Sequence, residues 1–401
     1  MSLPLAGLKV VSFEQFGAGP FATMNLADLG ATVIKVEPPP GEGGDPPGDI
    51  ARHTGGFPLG ENDSQYFQSF NRNKRSLTLD VRKPGGRDAL HRLVRDADAV
   101  LNNLRGDLPA RLGLDYAALA AVRPSIVCVH LSGYGRDGER AAWPAYDYLA
   151  QAEAGFCSLT GEPGTNPVRA GLSVVDFMSG LTAAMGLLAA VMGARSSGKG
   201  CDIDVSLYDV AMQTLTYVAT WYLNDGYEVH RRPRGGHPSI VPCEMFGTAD
   251  GHVFVMCIKP AFWQGFCRIA GVAHLPQDPR FLTFDDRLEN RDALMAELDP
   301  VMRQRSSSEW VRLLSGKVPV APVLGLGEAL DNPYFRSRGG VLDLPHPSRP
   351  DLKVVANAIR LDGRRLAGRA GPAYGADSDA VLREAGYTAA EIAQLRALGA
   401  V

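Results

Sequence analysis

The stretch LKVVSFEQFGAGPFATMNLADLGATVIKVE, residues 8–37, has the pattern of a strand, a helix and a second strand. Residues 8–13 and 31–37 are short apolar runs typical of buried strands, and residues 21–30 have helical spacing that ends in a glycine. A strand, a helix and a strand within about 30 residues form a βαβ unit, whose two strands are parallel. This stretch therefore predicts a parallel sheet at the centre of the fold.

Alternating patterns of this kind continue to residue 223. Strands are predicted at 77–80, 99–102, 126–131 and 202–206, and helices at 64–70, 86–95, 116–122, 145–154, 177–194 and 207–223. The last of these helices is apolar on most sides, so we expect it to be buried. Residues 38–49, rich in proline and glycine, are predicted to form a surface loop. The alternation indicates an α/β fold with a doubly wound parallel sheet.

A change of composition at residues 224–242 indicates a linker into a second domain. This stretch is rich in arginine, glycine and proline. Beyond it, Asp250-Gly251 lies between β-rich runs and predicts a hairpin over 244–258, followed by helices at 262–270, 291–303 and 308–314. Two domains with separate cores fit a chain of 401 residues with 45% hydrophobic content.

The charge and the cysteines narrow the classes of function. A formal net charge of −3 argues neither for nucleic acid nor for an anionic membrane surface as a partner, and we expect neither. The six cysteines form no CxxC motif and lie in mostly apolar surroundings, as in proteins of a reducing compartment. The N-terminus lacks a signal-peptide pattern, and the longest apolar run, 181–194, is too short to span a bilayer. We therefore predict a cytoplasmic enzyme, and the dispersed histidines predict no metal site.

One carboxylate stands alone in the most apolar part of the chain. Asp176 is the only charged residue between positions 170 and 191. As a helix N-cap, it would accept a hydrogen bond from first-turn N–H groups. As a nucleophile or general base, it would be kept ionised by the same N–H groups and by the helix dipole. The two interpretations are compatible, and both stay open on these residues alone.

The turn after the first predicted strand resembles a dinucleotide-binding motif. Gly17, Gly19 and Ala22 occupy the glycine positions, and Glu37 ends the second strand, where such folds bind ribose. Pro20, however, removes one N–H group from the turn that would contact phosphate. A dinucleotide-dependent oxidoreductase is therefore one alternative, and a tight strand-to-helix turn explains the glycines equally well.

Basic side chains recur near the exits of predicted strands. Ligands of parallel sheets lie at the carboxyl ends of the strands, so these side chains are candidates for binding phosphates. The alternative is a solvated, charged surface. The residues are Lys74, Arg75, Arg82, Lys83, Arg105 and Arg111.

Several of these pieces, in this order, resemble the class III CoA-transferases, which include the formyl-CoA:oxalate and carnitine CoA-transferases. The resemblance is dense over the N-terminal half and looser beyond it, through FGTADG, VPVAPV and DNPYF. The N-terminal pieces are GAGPFA at 17–22, NRNKRSLTLD at 71–80, NNLRGDLPARLG at 102–113, AYDYLAQ at 145–151 and the stretch around Asp176.

The resemblance implies that Asp176 is the catalytic aspartate. It would attack an acyl-CoA thioester to form an aspartyl-acyl anhydride, and would then carry CoA as an aspartyl-CoA thioester before a carboxylate accepts it. CoA is then a substrate, and no resident cofactor is expected. The acyl group is implied to lie near Tyr66, Tyr146 and Asp147. The implied CoA contacts are Phe16, Gly17, Ala18, Leu79, Arg82, Asn103, Leu104, Arg105 and Arg111.

The resemblance also implies an interlocked homodimer with a smaller α+β domain inserted into the large one. The expected domains are 1–223, which binds CoA, 224–326, and 327–401, which returns to the large domain. Gly17 and Pro38 stand where formyl-CoA transferases have a glutamine and an arginine, which argues against formyl-CoA and oxalate as substrates. The stretch HPSIVP, after Arg231, Arg232 and Arg234, is similar to that of succinyl-CoA-using members and favours a dicarboxylate.

An α-methylacyl-CoA racemase, which moves an α-proton of an acyl-CoA, is a second alternative. Such racemases share the fold and the CoA site, but have Gly-His-Asp where this chain reads Ala145-Tyr146-Asp147. Because histidine usually carries proton transfer near neutral pH, its absence here favours the transferase.

Overall fold

The computed structural model describes residues 2–41 and 46–401 and divides into two compact units. The large unit comprises Met1–Ala154, Gly171–Thr214 and Pro333–Val401, and the small unit comprises Gly155–Ala170 and Leu215–Asn332. The predicted boundaries at residues 223 and 326 are therefore displaced, and the small unit includes an earlier segment. Of the predicted loop 38–49, residues 42–45 lie outside the described residues, and the remainder contains neither helix nor strand.

A six-stranded parallel sheet forms the centre of the large unit. Its order is β3-β2-β1-β4-β5-β6, so the first strand lies in the middle and the chain crosses over it between β3 and β4. Both faces of the central strands are buried, which explains their nearly continuous apolar sequence. The predicted parallel sheet is confirmed. The strands are β1 Lys9–Phe13, β2 Thr32–Glu37, β3 Arg75–Thr78, β4 Ala99–Asn102, β5 Val127–Ser132 and β6 Cys201–Ser206.

Helices connect these strands and cover the sheet. A short 3-10 helix at Ile50–His53 precedes the second helix. The helices of the large unit up to residue 214 are α1 Ala18–Asp28, α2 Gln65–Asn71, α3 Gly86–Val94, α4 Leu108–Leu112, α5 Tyr116–Leu119, α6 Asp147–Glu153, α8 Val174–Ser197 and α9 Leu207–Thr214, whereas α7 Phe156–Leu159 and α10 Thr216–Asp225 belong to the small unit.

Helix α8 is longer than its apolar pattern predicts. It has 24 residues and, by length and composition alone, is sufficient to cross a membrane, so the expectation that this region is too short was wrong. Its buried face packs against α1, β5 and β6, with Val175, Ala183 and Leu187 fully inaccessible to solvent. These contacts are those of a helix in the core of an α/β layer.

The predicted helix 207–223 is two helices. Thr216 has a φ of 46°, a left-handed conformation that a β-branched residue rarely adopts, and it separates α9 from α10. Helix α10 has no buried residue, and Leu223 is 79% exposed. The expectation of one buried helix was therefore wrong in this single chain.

The small unit has a three-stranded antiparallel sheet, in the order β7-β8-β9, with helices packed around a separate core. The predicted hairpin at Asp250-Gly251 joins β7 and β8. Phe246, Phe266 and Trp310 are among the fully buried residues of this core. Its elements beyond α10 are β7 Cys243–Gly247, β8 His252–Met256, α11 Pro260–Ala270, α12 Phe284–Glu289, α13 Arg291–Met302, α14 Ser307–Leu314, β9 Val320–Pro322 and α15 Leu326–Leu330.

The C-terminal segment belongs to the large unit. Val381 and Tyr387 pack in the same core as Val11 and Leu77, and Asp377 accepts a hydrogen bond from the amide of Ser76. Its elements are α16 Pro333–Ser337, β10 Val341–Asp343, β11 Lys353–Val355, β12 Arg360–Leu361, β13 Arg364–Arg365, α17 Ser378–Glu384 and α18 Ala389–Ala397.

Candidate active site

Helices α1 and α8 approach each other closely near their N-termini. A β-carbon built on Gly180 would lie 2.6 Å from the carbonyl oxygen of Ala18, so only glycine permits this separation. The rings of Phe21 and Phe177 pack beside it, with centroids 4.9 Å apart. This packing brings the first turn of α8, which carries Asp176, next to the N-cap of α1, Gly17.

Asp176 is the third residue of α8, and the N-cap position is occupied by Ser173. The backbone N–H group of Asp176 donates to Oδ2 of Asp147 at 2.9 Å. The prediction that Asp176 itself caps the helix was therefore wrong, because Asp147, at the start of α6, accepts this first-turn N–H group instead. The Asp176 carboxylate is left free of the capping role.

The protonation of Asp176 differs from the expectation as well. Burial, and after it the negative charge of Asp147, together raise the pKa of its carboxyl to about 7. Within residues 2–41 and 46–401, no group donates a hydrogen bond to this carboxylate. The expectation that first-turn N–H groups hold the carboxylate ionised was wrong. Above neutral pH it is ionised but poorly solvated, as a nucleophile requires.

The carboxylate lines a cavity at the carboxyl ends of the central strands. This first cavity has a volume of about 190 Å³ and includes Ser132 at the end of β5 and Asn103 directly after β4. A second cavity, of about 480 Å³, is lined by Phe13 at the end of β1 and shares Gln15 and Leu104 with the first. Because the chain reverses its winding direction between β1 and β4, this is the position where α/β sheets bind ligands.

All nine residues implied as CoA contacts line these two cavities. Phe16, Gly17, Ala18, Asn103 and Arg105 line the first. The second is lined by Leu79, Arg82 and Arg111, and Leu104 lies in both.

The three residues implied near the acyl group are placed differently from one another. Tyr146 lines the first cavity, and its ring meets Phe16 edge-on, with centroids 6.3 Å apart. The Tyr66 ring also meets Phe16 edge-on, with centroids 6.2 Å apart. Burial and the charge of Asp176 raise the pKa of the Tyr66 hydroxyl, which indicates that the two groups are close. Asp147 is buried behind the cavity wall and is absent from its lining.

Phe16 is held in a strained conformation beside the carboxylate. Its φ is 62°, and its N–H group donates to Oδ1 of Asp49 at 3.1 Å. The other Asp49 oxygen accepts from Nζ of Lys35 at 2.7 Å, and Lys35 also donates to the carbonyl of Glu14 at 2.9 Å. Lys35 and Asp49 are buried, so a fully desolvated ion pair fixes the loop that leads into α1.

The prediction of basic residues at strand exits was wrong for Lys74 and Arg75. Lys74 lies before β3, and its buried ammonium pairs with Glu14 at 2.8 Å; burial lowers the pKa of Lys74 to about 8 despite this partner. Arg75 is the first residue of β3 and pairs with Glu384. By contrast, Arg105 and Arg111 lie in the cavities and share Asp107 as a partner.

Glu37 is unsuited to the ribose-binding role of a dinucleotide site. Its carboxylate is buried and accepts two bonds from Arg52 and one from Ser76. Burial opposes ionisation, but the bonds and charge of Arg52 hold the pKa of Glu37 at about 2. The geometry therefore argues against the oxidoreductase alternative.

The cavity walls include residues that the sequence analysis did not single out. The clearest is Gln15, whose backbone N–H group donates to Oδ1 of Asn103 at 2.9 Å while Asn103 Nδ2 donates to the Gln15 backbone carbonyl at 2.7 Å. In the first cavity, the others lie at the end of β5 or follow β5 or β6 along the chain, and that position was the signal for them. They are Leu131, Ser132, Gly133, Trp143, Pro144 and Leu207.

The fold and the site together define an α/β enzyme with a candidate carboxylate nucleophile in a cavity at the strand ends. The profile of CoA-transferase family III matches residues 5–378. An acyl-CoA transferase of Fusarium pseudograminearum is 34% identical over 99% of this chain and 88% of its own length. The human succinyl-CoA:glutarate CoA-transferase is 31% identical over 95% and 86%. The chain belongs to CoA-transferase family III and is an enzyme of the class III CoA-transferase type.

A solved structure agrees with this assignment. A CAIB/BAIF family protein from Brucella suis superimposes with a TM-score of 0.81 and 31% identity, covering 96% of this chain and all of that chain.

Proposed function

We propose that the enzyme moves CoA from an acyl-CoA to a carboxylic acid, with Asp176 as the covalent carrier. The observation that carries this proposal is the Asp176 carboxylate. It lies in a cavity that shares the lining residues Gln15 and Leu104 with a larger cavity, which is lined by Arg82 and Arg111. Side chains that suit phosphates and a side chain that suits attack on a thioester thus lie in adjoining cavities.

The proposed reaction needs no group beyond the two substrates. A carboxylate oxygen of Asp176 attacks the thioester carbonyl, the carbon–sulfur bond breaks, and CoA leaves as the thiolate. The resulting anhydride joins the acyl group to Asp176. The thiolate then attacks the aspartyl carbonyl of the anhydride and expels the donor carboxylate, which leaves an aspartyl-CoA thioester.

The second half repeats these steps with the acceptor. The acceptor carboxylate attacks the aspartyl thioester and releases the thiolate, which attacks the acceptor carbonyl of the new anhydride. Asp176 leaves as a free carboxylate. Negative charge develops on a carbonyl oxygen in each addition, and Gly17 and Ala18 at the N-terminus of α1 line the cavity where that charge develops. First-turn N–H groups and the helix dipole stabilise such charge.

For the substrates, we propose that at least one is a dicarboxylate. The support is the name of the human relative, which transfers CoA between two dicarboxylates, succinate and glutarate, and the HPSIVP stretch. Arg231 and Arg234 are engaged inside the small unit: Arg231 donates to the carbonyls of Glu162 and Asn166, and Arg234 binds Asp299.

The racemase alternative lacks a suitable base. No histidine lines either cavity in the described part of the chain, and Tyr146 stands at the position of the racemase histidine. The transferase therefore remains the better account.

We also propose an interlocked homodimer with a cytoplasmic location. Helix α8 has an exposed apolar side that includes Met185 and Met192, at 67% and 74% exposure, and a second copy would cover such a surface. If the chains are interlocked, sedimentation should detect a dimer and no folded monomer on dilution. A stable monomer at nanomolar concentration would contradict the proposal.

A thioester-exchange screen tests the proposed function. Acyl-CoA donors and mono- and dicarboxylate acceptors are combined, and new CoA thioesters are read by mass spectrometry. Wild-type enzyme should form acceptor-CoA in at least one pair that includes a dicarboxylate, and Asp176→Asn should form none. Turnover by Asp176→Asn would contradict Asp176 as the carrier, and exchange confined to monocarboxylates would contradict the substrate class.

A further inference from the structure

Asp147 connects the start of α6 to the start of α8. It is the first residue of α6 and is only 3% exposed. Its Oδ2 accepts the backbone N–H group of Asp176 at 2.9 Å, and its Oδ1 accepts from Nε2 of Gln151 at 2.5 Å. Gln151 also donates to the carbonyl of Leu172, just before α8. The Asp147–Gln151 pair therefore ties down the chain on both sides of the α8 N-terminus.

The backbone position of Asp176 depends on this arrangement. The N-cap residue, Ser173, makes no side-chain hydrogen bond to the helix, so Asp147 takes over the role that an N-cap side chain usually has. Asp147 does not line the cavity, whereas its neighbour Tyr146 does. Asp147 thus acts on Asp176 and has no contact with the space for substrate.

The negative charge of Asp147 and burial both raise the pKa of the Asp176 carboxyl. Three residues face Asp176 from other elements: Gly17 at the N-cap of α1, Tyr66 of α2 and Asp147 of α6. Arg105 lines the same cavity, but its guanidinium forms two bonds with Asp107. Burial is the larger cause that disfavours ionisation of Asp176, and the negative charge of Asp147 is the second.

We infer that Asp147 is a positioning residue for CoA transfer: its carboxylate orients Asp176 through the backbone N–H group and holds a negative charge near the Asp176 side chain. A more basic carboxylate is a stronger nucleophile, at the expense of a larger protonated fraction below neutral pH. This inference rests on the proposed function, because it assigns Asp147 a part in the reaction of Asp176.

The test compares the pH dependence of kcat/KM for the wild type and Asp147→Asn. An asparagine oxygen still accepts the N–H group of Asp176, so the helix start is retained while the charge is removed. The acid limb of the profile should move to lower pH by about one unit, and the plateau should fall because the nucleophile is weaker. A residue with only a structural role would change the melting temperature and leave the acid limb in place.

A matched control is Asp115→Asn. Asp115 accepts a first-turn N–H group of α5 through its side chain, as Asp147 does for α8, and it lines neither cavity. This variant should leave the acid limb unchanged. Asp147→Ser supplies a second neutral residue able to accept a helix N–H group, and it should shift the limb in the same direction as the asparagine variant.

The outcomes separate this inference from the proposed function. An acid limb at the wild-type pH in a folded Asp147→Asn enzyme would overturn the inference, as would failure of both neutral variants to fold, since Asp147 would then be structural. Either result leaves the proposed function intact provided that Asp176→Asn is inactive. Turnover by Asp176→Asn would instead overturn the proposed function.

Discussion

A β-carbon added to Gly17 would lie 2.7 Å from Oδ2 of Asp176, closer than van der Waals contact permits. The Asp176 carboxylate therefore occupies the space that any side chain at position 17 would take. Gly17 has a φ of −100°, which all residues adopt, so the requirement for glycine here comes from this contact and not from the backbone.

Gly17→Ala should consequently displace the carboxylate and leave the fold intact. The atom in conflict is the end of a side chain that can rotate away, but a displaced nucleophile reacts slowly. We expect kcat to fall by about 100-fold with a melting temperature close to that of the wild type. Gly193→Ala is the control, because Gly193 lies in α8, the helix that carries Asp176, and an added β-carbon there meets no atom within 4 Å. Wild-type kcat in Gly17→Ala would show that the carboxylate position is not critical.

Removal of Asp49 should reduce both stability and activity. Asp49→Ala leaves the buried Lys35 ammonium without its closest anionic partner and leaves the Phe16 N–H group without its acceptor. We expect the free energy of unfolding to fall by about 3 to 5 kcal/mol, measured by denaturant titration. Asp343→Ala breaks an exposed pair with Lys353 and should change it by less than about 1 kcal/mol. Equal effects of the two substitutions would contradict the role given to the buried pair.

Substitution of Arg82 or Arg111 should change the KM of one substrate only. If they contact CoA phosphates, Arg82→Ala and Arg111→Ala should each raise the KM for acyl-CoA by about 10-fold or more and leave the KM for the carboxylate nearly unchanged. Arg383→Ala, on the exposed face of α17, serves as the control for loss of a surface charge. If both substrates were affected equally, the second cavity would not be the phosphate site.

The raised pKa of Asp176 predicts opposite effects of one substitution on activity and stability. For the wild type, kcat/KM should fall about tenfold per unit as the pH drops below about 7, because protonated Asp176 cannot attack. Because the folded state disfavours the ionised Asp176 carboxylate, the free energy of unfolding falls as the pH rises from 3.8, the ordinary pKa of this carboxyl, to about 7. Above that pH this contribution no longer changes.

Asp176→Asn removes the loss in the free energy of unfolding that ionisation of Asp176 causes. At pH 8 it should be inactive but more stable than the wild type by about 1 to 3 kcal/mol in denaturant titration. A less stable variant would indicate that the carboxylate has stabilising partners.

Much of the large unit could be predicted from the sequence, because buried parallel strands leave short apolar runs that alternate with helical spacing. The break between α9 and α10 could not, since it depends on a left-handed Thr216 inside an unbroken apolar pattern. The segment Gly155–Ala170 could not be assigned to the small unit either. Its contacts, such as those of Arg231 with Glu162 and Asn166, join residues more than sixty positions apart.

At the candidate active site too, the sequence did not predict features that depend on contacts between distant residues. Asp176 was noticeable as a lone charge in an apolar run, and the family resemblance indicated the residues around the cavities. The helix cap was assigned to Asp176 because a cap is normally local, whereas Asp147, 29 positions earlier, supplies it. Lys35 and Glu37, two charges within the otherwise apolar predicted strand 31–37, were a comparable signal for buried ion pairs.

The central claim, that Asp176 carries the acyl group and then CoA covalently, is tested most directly by trapping with hydroxylamine. Hydroxylamine attacks the aspartyl carbonyl of the anhydride or of the thioester and leaves an aspartyl hydroxamate, which peptide mass spectrometry assigns to one residue. After incubation with a turned-over acyl-CoA, the account predicts a hydroxamate at Asp176 alone, and none without acyl-CoA. A hydroxamate at Asp147 or another carboxylate, with Asp176 unmodified, would contradict it.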